Sequence, residues 1–179
     1  MEEFKKGYIQ VYTGNGKGKT TAAVGLGVRA AGNGYKVFMV QFLKSGHTGE
    51  LESIKKLEPN FKVFRFEKKR SFFWTLDEEQ KKELREEIQA AYEFCVKCLE
   101  EKQCDILIMD EVMGALSNKL IDEKQLLELM DKKPDNIELI LTGRNVPENI
   151  INKANLVTEM KDIKHYFEEG VPARQGIEF

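Results

Sequence analysis

An α/β fold, with a mostly parallel sheet flanked by helices on both faces, is predicted by three observations. Short apolar, β-branched runs alternate with stretches of helical period. Two of the runs, Val37 to Phe42 and Ile106 to Met109, are almost continuously apolar, the pattern of strands covered on both sides. Glycines or acidic residues gather where the runs stop, at Thr13-Gly14, Asp110-Glu111 and Thr142-Gly143-Arg144. The 179 residues suit one domain, and neither an internal repeat nor a linker divides 1–179.

Tyr8 to Tyr12 reads as a buried strand entering a glycine loop, followed by a helix over Thr20 to Ala31 that ends at the pair Gly32 and Gly34. Val37 to Phe42 supplies the next strand and completes a β-α-β unit. A polar stretch from Lys44 to Asn60 leads to a third strand, where Phe61, Val63, Phe64 and Phe66 are interleaved with Lys62 and Arg65. Thr75-Leu76-Asp77-Glu78 has the form of a capping box and opens a long helix ending near Lys102, with Leu84, Ile88, Ala91, Cys95 and Leu99 spaced at three and four. Ile106 to Met109 and Leu139 to Leu141 are the fourth and fifth strands, and Asp122 with Gln125 caps a helix between them. A short helix after Pro147, a strand over 156–160, a helix around His165-Tyr166-Phe167 and an irregular tail complete the chain.

Composition narrows the function. The 28 Lys+Arg against 30 Asp+Glu leave a net charge of −2, so no global field draws the chain to nucleic acid or an anionic membrane, and any anion site is local. No apolar run reaches membrane-span length, and the start lacks the apolar core of a signal peptide, which makes the cytoplasm the expected location. Cys95, Cys98 and Cys104 are expected as thiols, the first two as small hydrophobes on the long helix. His47 reads as a surface histidine, and Lys68-Lys69-Arg70 as solvated charge.

In parallel sheets ligands bind beyond the carboxyl ends of the strands, which is where the unusual residues collect. Gly14-Asn15-Gly16-Lys17-Gly18-Lys19-Thr20-Thr21 stands between a strand and a helix, as a P-loop does. Glycines let several N–H groups converge, the helix N-terminus adds partial positive charge, Lys19 reaches phosphates and Thr20 offers a hydroxyl to Mg²⁺. Thr13 holds the place where the usual pattern has its first glycine. Asp110 and Glu111 close a strand, the layout of an acidic pair that holds Mg²⁺ from a strand neighbouring the P-loop strand. Arg144, after another strand, is either a bidentate phosphate contact or a surface charge at the start of a loop. Phe72-Phe73-Trp74 places three rings where a loop is ordinarily polar, either as a staple onto the long helix or as an aromatic wall for a large flat ligand. These features predict an ATP- or GTP-binding α/β domain with Mg²⁺, and the fold expected for it is the P-loop NTPase type (RecA-like).

The chain resembles the P-loop ATP:corrinoid adenosyltransferases. The resemblance runs through Thr13 to Thr21, Arg29-Ala30, Val40-Gln41-Phe42-Leu43-Lys44, Gly49-Glu50, Trp74, Met109-Asp110-Glu111, Thr142-Gly143-Arg144 and the ending Ala173 to Phe179. The family also lacks the first P-loop glycine. The resemblance implies transfer of the 5′-deoxyadenosyl group of ATP to the Co(I) of a corrinoid, with release of triphosphate. It implies that Gly14 to Thr21 hold the triphosphate, with Lys19 and Arg144 assisting catalysis, and that Mg²⁺ sits at Thr20 and Glu111, with Asp110 beside them. It also implies that Phe72, Phe73 and Trp74 meet the corrinoid, with Trp74 and Phe72 where the aromatics that displace its lower ligand belong; Phe73 stands where the family has a polar residue, which leaves open which phenylalanine faces cobalt. A reductant such as a flavoprotein and a homodimeric state follow from the same likeness. Without the resemblance, a P-loop phosphotransferase, a hydrolase and a nucleotide switch share the cradle.

Overall fold

The computed structural model describes residues 6–70 and 73–179. Strands β1 (Ile9–Thr13), β2 (Val37–Gln41), β3 (Phe61–Phe64), β4 (Ile106–Asp110), β5 (Glu138–Thr142) and β6 (Leu156–Glu159) form one sheet in the order β3-β2-β4-β5-β1-β6, every neighbouring pair parallel. The helices are α1 (Lys19–Gly32), α2 (Gly49–Lys55), α3 (Glu78–Glu100), α4 (Val112–Ser117), α5 (Glu123–Lys132) and α6 (Glu148–Lys153).

Strand side chains alternate between two cores because successive residues point to opposite faces. Val11, Phe38, Val40, Leu107, Met109, Leu139 and Leu141 pack with residues of α3 to α6, including Ile88, Val112, Leu126 and Ile150. Val37, Met39, Ile106, Ile108 and Ile140 pack on the other face with Ala23, Ala30 and Ala31 of α1 and Ile54 of α2. Every residue of β2, β4 and β5 is buried, as the apolar runs within them predict, and the polar Gln41, Asp110, Glu138 and Thr142 at their ends are buried with them. Burying each large aliphatic contributes about 1.5–3 kcal/mol, which fixes the carboxyl ends of the central strands as a rigid ridge.

The structure corrects the sequence reading in several places. The strand bearing Asp110 is not next to the P-loop strand, since β5 lies between β4 and β1. The capping box of α3 is formed by Asp77 and Gln80 and not by Thr75 and Glu78: Gln80 N–H donates to Asp77 Oδ1 at 2.8 Å, and Asp77 N–H to Gln80 Oε1 at 3.2 Å. Thr75 instead ends a 3₁₀ turn, Phe73–Thr75. The polar stretch after β2 holds α2, and α4 follows β4 directly; both are too short for a periodic pattern to show. The predicted helix around Tyr166 is a 3₁₀ turn, Tyr166–Glu169. At α5, Asp122 N–H donates to Gln125 Oε1 at 2.9 Å, as expected.

Candidate functional site

Thr13 is still strand. Paired in register with Glu159, it accepts the Met160 N–H at 2.8 Å, so the chain turns one residue later than in the usual pattern. Gly14 makes that turn at φ 101, and a Cβ there would lie 2.3 Å from the Met160 carbonyl oxygen. Gly16 donates its N–H to the same carbonyl at 2.7 Å, and Gly18 turns at φ 115 into the first turn of α1. The missing glycine at position 13 is therefore explained: the backbone freedom it would give is not needed until Gly14. The loop ends at the N-terminus of α1, where first-turn amides lack helical partners and attract anions.

Lys19 is buried and folds back over the loop, its Nζ donating to the carbonyls of Gly14 at 2.7 Å and Gly16 at 2.8 Å. Burial, and then the Arg144 guanidinium, hold its pKa below the ordinary lysine range against the pull of Glu111 and Asp110. Arg144 is exposed just past β5.

Asp110 is fully buried and saturated with donors. Its Oδ1 accepts from Thr20 Oγ1 at 2.9 Å and Thr142 Oγ1 at 2.7 Å; its Oδ2 accepts from Lys44 Nζ at 2.8 Å and Gln41 Nε2 at 3.2 Å. Lys44 Nζ also donates to Thr20 Oγ1 at 3.0 Å. Thr142, on the intervening β5, accepts the Glu111 N–H at 2.8 Å and so ties β4 to the strand beside the loop. Glu111 has φ 61, the left-handed region, and precedes α4; its carboxyl turns back over that helix, where a Cβ at Gly114 would stand 3.1 Å from Oε1. Burial and the Asp110 charge raise its pKa, opposed by Lys44, Lys19 and Arg144. Of the two carboxylates named from sequence, Asp110 is the one hydrogen-bonded to Thr20.

These oxygens suit a hard divalent cation. A buried carboxylate and an adjacent hydroxyl are Mg²⁺ donors, and a cationic nitrogen already rests between them. Among the described residues no cluster of three His, Cys, Asp or Glu could hold a metal unaided, so phosphate or water oxygens would complete the shell.

A cavity of about 950 Å³ joins the loop to the aromatic segment. Lys17 to Thr21, Lys44, Glu67, Phe73, Trp74 and the tail residues Gly176 to Phe179 line it. Phe73 is half-buried against the α3 core, whereas Trp74 is 76% exposed, so a staple accounts for one ring and leaves the other facing outward. Phe72 lies outside the described residues. Glu178 anchors the tail to the loop by accepting from Lys17 Nζ at 2.7 Å and from Arg174, and it also pairs with Tyr166. Asn15 is exposed and Thr21 opens α1.

Sequence reasoning placed Gln41 to Lys44 at the ligand-binding edge without a role for either residue, and it assigned nothing to Arg65 or Glu67. Arg65 Nε donates to Gln41 Oε1 at 2.7 Å, which orients the amide toward Asp110. Glu67 accepts the N–H of Leu43, a residue with φ 55, and burial, followed by the Glu87 charge, pushes its pKa up to about 7. The signal for Gln41 was a polar residue closing a buried strand and for Lys44 its place just past that strand; for Arg65 and Glu67 it was charge at alternate positions beside apolar Phe64 and Phe66. Cys95, Cys98 and Cys104 are buried thiols, and His47 is exposed.

Residues 5–179 match the family model described as ATP:corrinoid adenosyltransferase BtuR/CobO/CobP. A corrinoid adenosyltransferase of Sinorhizobium sp is 36% identical over 98% of this chain and 81% of its own length. One from Escherichia coli is 30% identical over 98% of this chain and 87% of its own length. In structure, the chain is similar to a KaiC-like protein, PH0186, of Pyrococcus horikoshii, with a TM-score of 0.57 and 16% identity over 89% of this chain and 74% of that one. The flagellar accessory protein FlaH of Methanocaldococcus jannaschii gives a TM-score of 0.51 at 18% identity over 86% of this chain and 71% of that one, and both likenesses bear on the P-loop fold alone. With the family model matched along almost the whole chain, this protein belongs to the ATP:corrinoid adenosyltransferase family.

Proposed function

We propose that this enzyme transfers the 5′-deoxyadenosyl group of ATP to the cobalt of a corrinoid. The observation that carries the reading is that the glycine loop and the aromatic segment, read separately as a triphosphate cradle and a corrinoid wall, line one cavity inside a chain of this family. In the reaction, Co(I) attacks C5′ of ATP, a Co–C bond forms, and the C5′–O bond breaks to release triphosphate.

The chain's residues stabilise the leaving group. The amides of Gly14 to Thr21, including Asn15, Lys17 and Gly18, and the N-terminus of α1 surround the anionic tail. Lys19 leaves the Gly14 and Gly16 carbonyls for phosphate oxygens, and Arg144 adds positive charge from the end of β5. Thr20 and Asp110 would hold Mg²⁺, with Glu111 alongside; when bound, the ion supplies Lewis-acid stabilisation of the triphosphate. The attack needs no protein nucleophile or general base. Trp74 and Phe73 line the cavity with rings that cannot coordinate cobalt, and the family likeness adds Phe72; a corrinoid seated there would lose its lower ligand, and Co(II) would be more easily reduced. A reductant such as a flavoprotein, a cytoplasmic location and a homodimer belong to this reading on family grounds. Among the described residues no helix is long and apolar enough to cross a membrane.

The test is to give the purified protein Mg-ATP, a corrinoid and a strong reductant. A light-sensitive alkylcobalt spectrum appearing with stoichiometric triphosphate is expected. Steady ADP release independent of corrinoid would instead identify a hydrolase.

A further inference from the structure

The place between Thr20 and Asp110 is taken by a cation that belongs to the chain. Lys44 Nζ bridges Asp110 Oδ2 at 2.8 Å and Thr20 Oγ1 at 3.0 Å. The other donors to Asp110 are held by the fold: Thr142 and Gln41 lie on buried positions of β5 and β2, and Thr20 is in the first turn of α1. Lys44 differs from them. Its side chain is 25% exposed and lines the cavity, while its backbone is anchored by the neighbouring Leu43 N–H, which Glu67 accepts. An anchored backbone, a flexible four-carbon stem and a partly exposed ammonium allow this cation to be displaced without disturbing the fold.

We propose that Lys44 is a positioning residue that serves as the resident counter-cation of the metal seat, exchanged for the divalent ion only when that ion arrives with a triphosphate. The inference rests on the nucleotide reading of the loop. Without a cation beside it, the buried Asp110 carboxylate would carry an uncompensated desolvation cost, and Lys44 supplies the compensation while keeping Thr20 and Asp110 in ligating positions. A bare divalent ion gains the carboxylate but must expel the ammonium into a cavity whose cations, Lys17, Lys19, Lys68 and Arg70, outnumber its carboxylates, Glu50, Glu67 and Glu178, the last already paired with Lys17 and Arg174. An ion bound to a triphosphate brings oxygens that accept the displaced ammonium, so both cations keep anionic partners. Metal and nucleotide are thereby coupled, and the seat stays closed to metal alone.

Mn²⁺ is the probe, titrated into the protein in equilibrium dialysis, where the excess of Mn²⁺ on the protein side counts only protein-bound ion, first without nucleotide and then with ATP on both sides. Wild type is expected to take up little bare Mn²⁺ and to bind it tightly with ATP. The neutral variants Lys44→Met and Lys44→Gln are each expected to bind bare Mn²⁺ at least about tenfold more tightly than wild type, so that ATP raises Mn²⁺ affinity less than in wild type. Lys44→Arg, which retains a cation, is expected to restore the wild-type dependence on ATP. Two neutral variants keep the test decisive should one of them fold poorly. If both show wild-type affinity for bare Mn²⁺ while still taking up Mn²⁺ with ATP, the nucleotide reading stands and the counter-cation role is overturned. If wild type takes up no Mn²⁺ even with ATP, the nucleotide reading itself fails, and this proposal with it.

Discussion

Thr142 donates its hydroxyl hydrogen to Asp110 Oδ1 at 2.7 Å from the strand that separates β4 from the glycine loop. Thr142 Oγ1 in turn accepts the Glu111 N–H at 2.8 Å, so one fully buried hydroxyl fixes both members of the acidic pair. Replacing it by an isosteric methyl in Thr142→Val leaves a buried donor and a buried acceptor each short of a partner. The expected loss is about 1–3 kcal/mol in urea unfolding, with weaker Mg-ATP binding, and Thr142→Ser should recover most of both. A Thr142→Val protein as stable as wild type would show that the bridge is dispensable.

Glycine at position 14 answers to two constraints at once, φ 101 and the Met160 carbonyl 2.3 Å from any added Cβ. The obstacle is backbone of the chain leaving β6, which no side-chain rotation relieves. Gly14→Ala is expected to cost about 2 kcal/mol or more and to abolish ATP binding. Gly46→Ala is the control, because nothing lies within 4 Å of its added Cβ, and its effect should stay within about 0.5 kcal/mol. Thermal melts and a fluorescent ATP analogue read both quantities.

The fold was legible in the sequence because its signals are local. Unbroken apolar runs mark β2, β4 and β5, and the spacing of Leu84, Ile88, Ala91, Cys95 and Leu99 marks α3, all of them buried. Helices of six or seven residues such as α2 and α4 offer too few turns for a period, and strand order is not written in any local pattern. Hence the insertion of β5 between Asp110 and the loop, and with it the bridging role of Thr142, emerges only in three dimensions. Lys19, Thr20 and Asp110 could be named from spacing. The segment Gln41 to Lys44 could be placed at the same edge, but the contacts of Lys44, Arg65 and Glu67 could not be foreseen, since each reaches a residue more than twenty positions away.

Trp74 is 76% exposed in a 3₁₀ turn, whereas Phe73 beside it packs on the core. Removing a mostly exposed ring should change stability by no more than about 0.5 kcal/mol. If that ring displaces the corrinoid's lower ligand, Trp74→Ala is expected to depress turnover that begins from Co(II) far more than turnover begun from chemically reduced Co(I). Parallel assays from the two oxidation states decide the matter, and equal losses in both would assign Trp74 to corrinoid binding alone.

Glu67 couples the site to pH. Its carboxyl is raised from 4.5 to about 7 by burial and by Glu87, against the Leu43 N–H and the charges of Arg70 and Arg65. Between about pH 5 and pH 7 the folded chain therefore keeps a proton that the unfolded chain has released, so this group lowers stability as pH rises through that window and changes nothing further above it. The full shift corresponds to about 3 kcal/mol, an upper figure because residual solvent screens the carboxyl. Glu67→Gln retains a carbonyl to accept the Leu43 N–H but carries no titrating proton. The stability of wild type relative to this variant, from urea unfolding at pH 5 and pH 8, should thus fall with pH. A difference that stays constant would mean that Glu67 ionises normally, and the turn that carries Lys44 would then owe its shape to a charged carboxylate and not to a neutral one.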